Sequence, residues 1–219
     1  MKLNKIALAV GAAVLGLSSV AQAELSANIG ATSNYVWRGV TQTSDDAAIS
    51  GGIDYAHESG VYVGTWISTL GNGGGEEIDF YAGFGGEAGD IGYDIGVIYY
   101  AYPSGQDLDF TEIYGSLSFG PATAGIAYTI DTEAGGDDDH VYYYLSAGHD
   151  LDDGWSIGAT VGHYDMDGTG NDYSHAQLDI TKSAGDYGDF TLSLSNVFDQ
   201  DTNALDNDLV PFVSWSKGF

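Results

Sequence analysis

The chain has 219 residues, with 32 Asp and Glu against five Lys and Arg, a formal charge of −27, and no cysteine. Such a field repels nucleic acid and anionic lipid head groups, and without thiols neither a disulfide framework nor a thiolate metal site can form. Disordered acidic chains are poor in ring side chains, whereas this one carries 16 Tyr, 8 Phe and 4 Trp, so an ordered protein is expected.

Lys2 and Lys5 precede an apolar run from Ile6 to Leu17, followed by Ser18, Ser19 and the small-residue exit Ala21-Gln22-Ala23. A positive start, a short apolar centre and an A-x-A exit describe a secretory signal peptide over 1–23, cleaved before Glu24. The apolar run is too short for the roughly 20 residues of a spanning helix. Residues 24–219 then form one domain, in which Arg38, Lys182 and Lys217 alone face the 32 carboxylates: three against 32, or −29.

No later stretch approaches the length of a spanning helix. A membrane position would therefore require a closed barrel, because hydrocarbon leaves no backbone donor or acceptor unsatisfied. From Leu25 onward, alternating segments of about ten residues, the length of a tilted spanning strand, are separated by Gly, Asp, Asn and Ser clusters. Twelve are predicted. The first six are Leu25–Arg38, Ala47–His57, Val61–Thr69, Glu77–Gly86, Ile91–Tyr102 and Leu108–Phe119. The second six are Ala122–Asp131, Asp139–His149, Trp155–Tyr164, Tyr173–Lys182, Tyr187–Phe198 and Leu209–Phe219.

Tight connections such as His57-Glu58-Ser59-Gly60 and Gly120-Pro121 alternate with longer polar ones such as Gly39 to Asp46 and Asp199 to Asp208. Short periplasmic turns alternating with longer outer loops are the habit of an even-stranded outer-membrane barrel, with both chain ends in the periplasm. Period 2 alone also fits a soluble sandwich or barrel. The balance is tipped by a final strand, Leu209 to Phe219, that ends on an aromatic residue and looks like the signal read by the barrel-assembly machinery. Lys217 departs from the apolar residue usual two places before the end.

Ser33-Asn34-Tyr35-Val36-Trp37-Arg38-Gly39-Val40-Thr41-Gln42-Thr43 resembles the opening signature of the TorF family, exported proteins assigned as porins and long known only as conserved hypotheticals. Gly52-Ile53-Asp54-Tyr55-Ala56-His57, Gly60 to Trp66, Glu77 to Gly83, Tyr99 to Pro103 and Glu112-Ile113-Tyr114-Gly115 continue the resemblance in order. It implies an outer-membrane barrel, and it brings no catalytic or ligand motif with it.

Strand parity turns Asp54, Glu77, Asp79, Asp94, Glu112 and Asp179 inward, together with Tyr62, Trp66, Tyr81, Tyr100, Tyr102, Tyr114, Tyr142 and Tyr144. Arg38, the sole arginine, is expected inward near the outer end of the first strand. It is read either as a latch on facing acids or as part of a charged constriction. The rings either fill the lumen or offer a stacking track. Tyr35, Trp37, Tyr93, Trp155 and Trp215 fall on the outward parity and read as interfacial girdle residues.

Asp165, Asp167 and Asp172 resemble half a calcium loop, but Ala176 stands where the bidentate acid belongs, so an acidic turn is the stronger reading. Asp137-Asp138-Asp139-His140 reads as a solvated charge run. An enzyme is not expected: His163 has no Ser beside it in sequence, and the neighbours Ser174 and His175 point to opposite faces. No cofactor is implied. The function expected is passive diffusion of small solutes with a cation preference, and the alternative is a plugged barrel whose acidic loops bridge to lipopolysaccharide. The mature protein is expected to begin at Glu24; intact-mass measurement on barrel purified from membranes checks this, and retention of residues 1–23 would refute it.

Overall fold

The computed structural model describes residues 23–105, 107–133, 139–166, 171–202 and 205–219. Residues 1–22 of the signal peptide expected over 1–23, together with Asp137, Asp138 and Asp167 of the acidic runs, lie outside the described residues. Fourteen strands follow one another: β1 Glu24–Thr32, β2 Val36–Trp37, β3 Val40–Thr41, β4 Ala48–Ala56, β5 Val61–Thr69, β6 Glu76–Ala88 and β7 Ile91–Ala101. The remainder are β8 Phe110–Phe119, β9 Ala122–Thr132, β10 Val141–Asp150, β11 Trp155–Asp165, β12 Tyr173–Ser183, β13 Asp189–Phe198 and β14 Val210–Gly218.

Twelve of these, β1 and β4 to β14, make one closed antiparallel barrel in chain order, and β2 with β3 forms a separate two-stranded hairpin. Closure comes from β1, which pairs with β4 on one side and with β14 on the other, Ala31 opposing both Ile49 and Trp215. Reciprocal backbone bonds between Ala27 and Phe219, 2.9 and 3.2 Å, carry the seam to the last residue. No described helix is long and apolar enough to cross a membrane.

The alternation predicted from the sequence is the alternation of the wall. Ile53, Val63, Ile67, Phe80, Ile95, Leu117, Leu145, Val161, Leu178, Leu192 and Val213 are all exposed on the outside. An apolar area of that extent has no place on a water-soluble protein and suits lipid around a barrel. Predicted and observed strand limits agree closely except for the first, which stops at Thr32 and not at Arg38.

On the inner face, tyrosines lie flat across glycines of the neighbouring strand. Tyr62 opposes Gly83 and Tyr114 opposes Gly96 in the ladder. A Cβ on Gly83 would sit 2.3 Å from Tyr62 Oη, and one on Gly96 would sit 2.4 Å from Tyr114 Oη. These glycines therefore supply the space that lets large rings turn along the wall. Gly83→Val is expected to cost about 1–3 kcal/mol through overpacking, read as a lower urea midpoint in detergent. Gly115→Ala, whose new Cβ would meet only a backbone oxygen at 3.5 Å, leaves the midpoint in place.

Candidate functional site in the barrel lumen

The connection after β1 does not project outward. It turns into the barrel as the β2–β3 hairpin, in which Val36 opposes Thr41 and Trp37 opposes Val40. Arg38 and Gly39 form its two-residue tip, with φ of 48° and 87°. Positive φ at both central positions is the requirement of the hairpin turn whose twist matches its strands, and glycine meets it without steric cost. Arg38 bears a left-handed penalty of about 1–2 kcal/mol, so something must hold it there.

That hold is a bidentate ion pair. The two terminal nitrogens of Arg38 donate to the two oxygens of Glu112 on β8, both at 2.7 Å, with Glu112 only 1% exposed. The guanidinium also lies over the rings of Trp37, Tyr142 and Tyr164 at 4.1, 4.3 and 5.0 Å. Paired geometry and ring faces together suit a guanidinium better than any other cation. Burial alone would lower the Arg38 pKa, but the facing Glu112 carboxylate more than offsets it and holds the group above its ordinary value.

The rest of the hairpin spans the lumen. Tyr35 donates to Glu77 on β6 at 2.7 Å and packs edge-on against Trp66 of β5. Trp37 meets Tyr100, Phe110 and Tyr164 edge-on. On the far side Gly39 approaches His175 and Val197 so closely that a Cβ would come within 2.5 Å of the histidine Cβ. Three expectations are corrected here. Arg38 is carried by a hairpin tip and not by the first strand, Tyr35 and Trp37 lie inside the lumen and not in an outer girdle, and the segment from Gly39 to Thr43 is buried or half-buried within the barrel. Parity fails at this point because the chain leaves the ladder after Thr32.

The inward acids are distributed among separate partners. Glu77 also accepts from Tyr102 at 2.7 Å. Asp54 accepts from Tyr81. Asp94 accepts from Tyr62 at 2.8 Å, whose hydroxyl meets that of Tyr114 at 2.5 Å. Asp179 lies apart on β12 and accepts from Ser193 and Gln177. Tyr100 joins the Arg38 seat through a 3.3 Å bond to Glu112, and Tyr144 stacks on Tyr142. Asp79 is 1% exposed, and among the described residues its Oδ1 has no hydrogen-bond partner, as is also true of Asp179 Oδ2. Tyr164, Tyr173 and His175 complete the ring cluster around the hairpin tip; their inward parity is readable, but their convergence on one loop residue is not.

Outside the lumen, an acidic cleft of about 440 Å³ opens where the hairpin base meets the last long loop, lined by Asn34, Asp45, Asp206 and Asp208 among others. Asp172 accepts the Met166 backbone N–H at 2.8 Å. Among the described residues no group of three or more His, Asp or Glu is placed to hold a metal ion. His163 and Ser174 oppose each other on β11 and β12, with Nδ1 and Oγ 3.0 Å apart. A serine therefore does stand beside His163, across the ladder and not along the chain, but among the described hydrogen bonds no carboxylate orients that ring.

The sequence over residues 18–209 matches the family described as bacterial protein of unknown function, Gcw_chp. The chain belongs to that family. No curated protein matches it. Among solved structures it is similar to the KdgM porin, with a TM-score of 0.59 and 8% identity over 89% of this chain and 98% of that one. The COG4313 outer membrane channel from Pseudomonas putida F1 gives 0.58 and 10% over 91% and 97%, and the NanC porin 0.56 and 10% over 88% and 98%. At such identities the likeness is one of fold. The fold is that of outer-membrane porins; the TorF name is not carried by the matching family.

Removing one partner of a buried ion pair strands the other charge, at a cost of about 3–5 kcal/mol. Arg38→Met and Glu112→Gln are each expected to lower the thermal unfolding temperature in detergent markedly. Tyr35→Phe, which removes one bond to a carboxylate, should cost about 1.5–3 kcal/mol. Equal, small effects from all three would show that the pair does not anchor the hairpin.

Proposed function

We propose that the protein is an outer-membrane channel for small solutes with a preference for cations, closed in this conformation by the hairpin from Tyr35 to Thr43. The observation that carries this reading is the Arg38–Glu112 latch, set in a lumen where one guanidinium stands against six inward carboxylates, those of Asp54, Glu77, Asp79, Asp94, Glu112 and Asp179, and pairs with Glu112. Rings of carboxylates favour cation passage, and a constriction that moves makes a gate. In this reading the signal peptide directs export, the chain ends and short turns face the periplasm, Phe219 and its strand engage the assembly machinery, and the acidic loops face outward beside lipopolysaccharide. The KdgM porin is described in complex with disordered oligogalacturonate; a polyanion of that kind would be repelled by the lumen of this chain.

A second reading has its own support. Tyr35, Tyr100, Asp79, Glu112, Tyr142 and Tyr164 are all buried around the hairpin, which also suits a permanently filled barrel with a structural or surface-binding role. Planar-bilayer recording separates the two. The wild type is expected to show rare openings, and deletion of residues 35–42 to raise open occupancy at least tenfold, with a reversal potential in asymmetric KCl on the cation side. Anion preference would overturn the charge reading, and silence of the deletion variant would leave the filled barrel.

A further inference from the structure

The Arg38 seat is built from parts of unequal origin. Glu112 stands on β8, Tyr100 on β7, Tyr142 on β10 and Tyr164 on β11, all fixed by the barrel ladder. Arg38 arrives on the hairpin, and Trp37, the ring nearest its guanidinium at 4.1 Å, comes with it. Arg38 adopts φ of 48°, a conformation that non-glycine residues avoid. The wall thus presents a guanidinium receptor of its own, a two-oxygen fork with ring faces at 4.3 and 5.0 Å, and the chain fills it with its own side chain.

Beside the seat is an unsatisfied acceptor. Asp79 opposes Tyr100 in the ladder, and Tyr100 donates to Glu112. Among the described residues Asp79 Oδ1 is buried without a hydrogen-bond partner. A buried carboxylate oxygen in that state calls for a positive or donor group, and Arg38 does not supply one to it. The same solute could therefore place a guanidinium on Glu112 and a second positive group towards Asp79.

We infer that the Glu112–Tyr142–Tyr164 seat is a binding site for guanidinium-bearing organic cations, with Arg38 acting as a tethered competitor that such a solute displaces. This deepens the channel reading and rests on it for its physiological meaning, since displacement of Arg38 would release the hairpin tip. Selectivity follows from shape: an ammonium ion or K⁺ carries the charge but cannot form the planar fork. Tethering gives Arg38 an effective concentration in the millimolar range or above, so an external ligand binds the wild type weakly and a variant without Arg38 strongly.

The test uses the full barrel in detergent micelles, with agmatine as the guanidinium probe and 1,4-diaminobutane as its ammonium counterpart, followed by calorimetry and tryptophan fluorescence. Arg38→Ala is expected to bind agmatine at least tenfold more tightly than the wild type does, and at least tenfold more tightly than it binds 1,4-diaminobutane. Adding Glu112→Gln should abolish the difference between probes. If Arg38→Ala does not fold, Arg38→Lys, which keeps the charge without the fork, should show the same preference over wild type. Equal binding of the two probes, or none, would overturn the site. Binding is measured without conduction, so selective binding with silent bilayers would sink the channel and leave the site, whereas conducting bilayers without selectivity would do the reverse.

Discussion

Everything in this molecule depends on the seam between β1 and β14. Strands in hydrocarbon have no water to satisfy an open edge, so the first and last strands must find each other across almost the whole length of the chain. They do so through a ladder from Asn28↔Gly218 to Thr32↔Ser214, extended by the Ala27–Phe219 bonds. Once closed, the wall has two faces with opposite demands: aliphatic side chains outside, and an enclosed polar space that side chains and loop must fill.

The filling is the individual feature of this barrel. Tyrosines turned over glycines cover the inner wall, and the hydroxyls of Tyr81 and Tyr62 reach the carboxylates of Asp54 and Asp94. These bonds neutralise no charge. The one ion pair among the described residues, Arg38 with Glu112, belongs to a hairpin that reaches residues of β5 at one side and of β12 and β13 at the other. A single ion pair can hold so long a segment because it is buried, doubly bonded and faced by aromatic rings, conditions in which charge contacts are strongest.

Much of this was legible in the sequence. Twelve alternating segments and the inward parity of the six acids follow from the two-residue repeat of a strand, which the ladder preserves wherever the chain stays within it. Tyr35 and Trp37 were misplaced because that repeat was carried six residues beyond the true end of β1. The signal of the break was present: Arg38-Gly39 between Trp37 and Val40 is a two-residue turn between short apolar runs. The Ser174–His163 contact was missed for a different reason. It joins residues opposed across a ladder, and register is not visible along a chain.

Residue types and their spacing are enough to set the class of the protein: an acidic, cysteine-free chain whose alternation demands one apolar and one polar face. Those properties are local, set by residue type and spacing, and closure alters none of them. The closed ring is what brings the first long loop into the lumen, selects the carboxylate that receives Arg38, and leaves Asp79 Oδ1 without a hydrogen-bond partner among the described residues. Each depends on strands far apart in sequence meeting around a closed ring, and on a loop choosing inside over outside because the seat waiting there offsets the strain and burial of its one arginine.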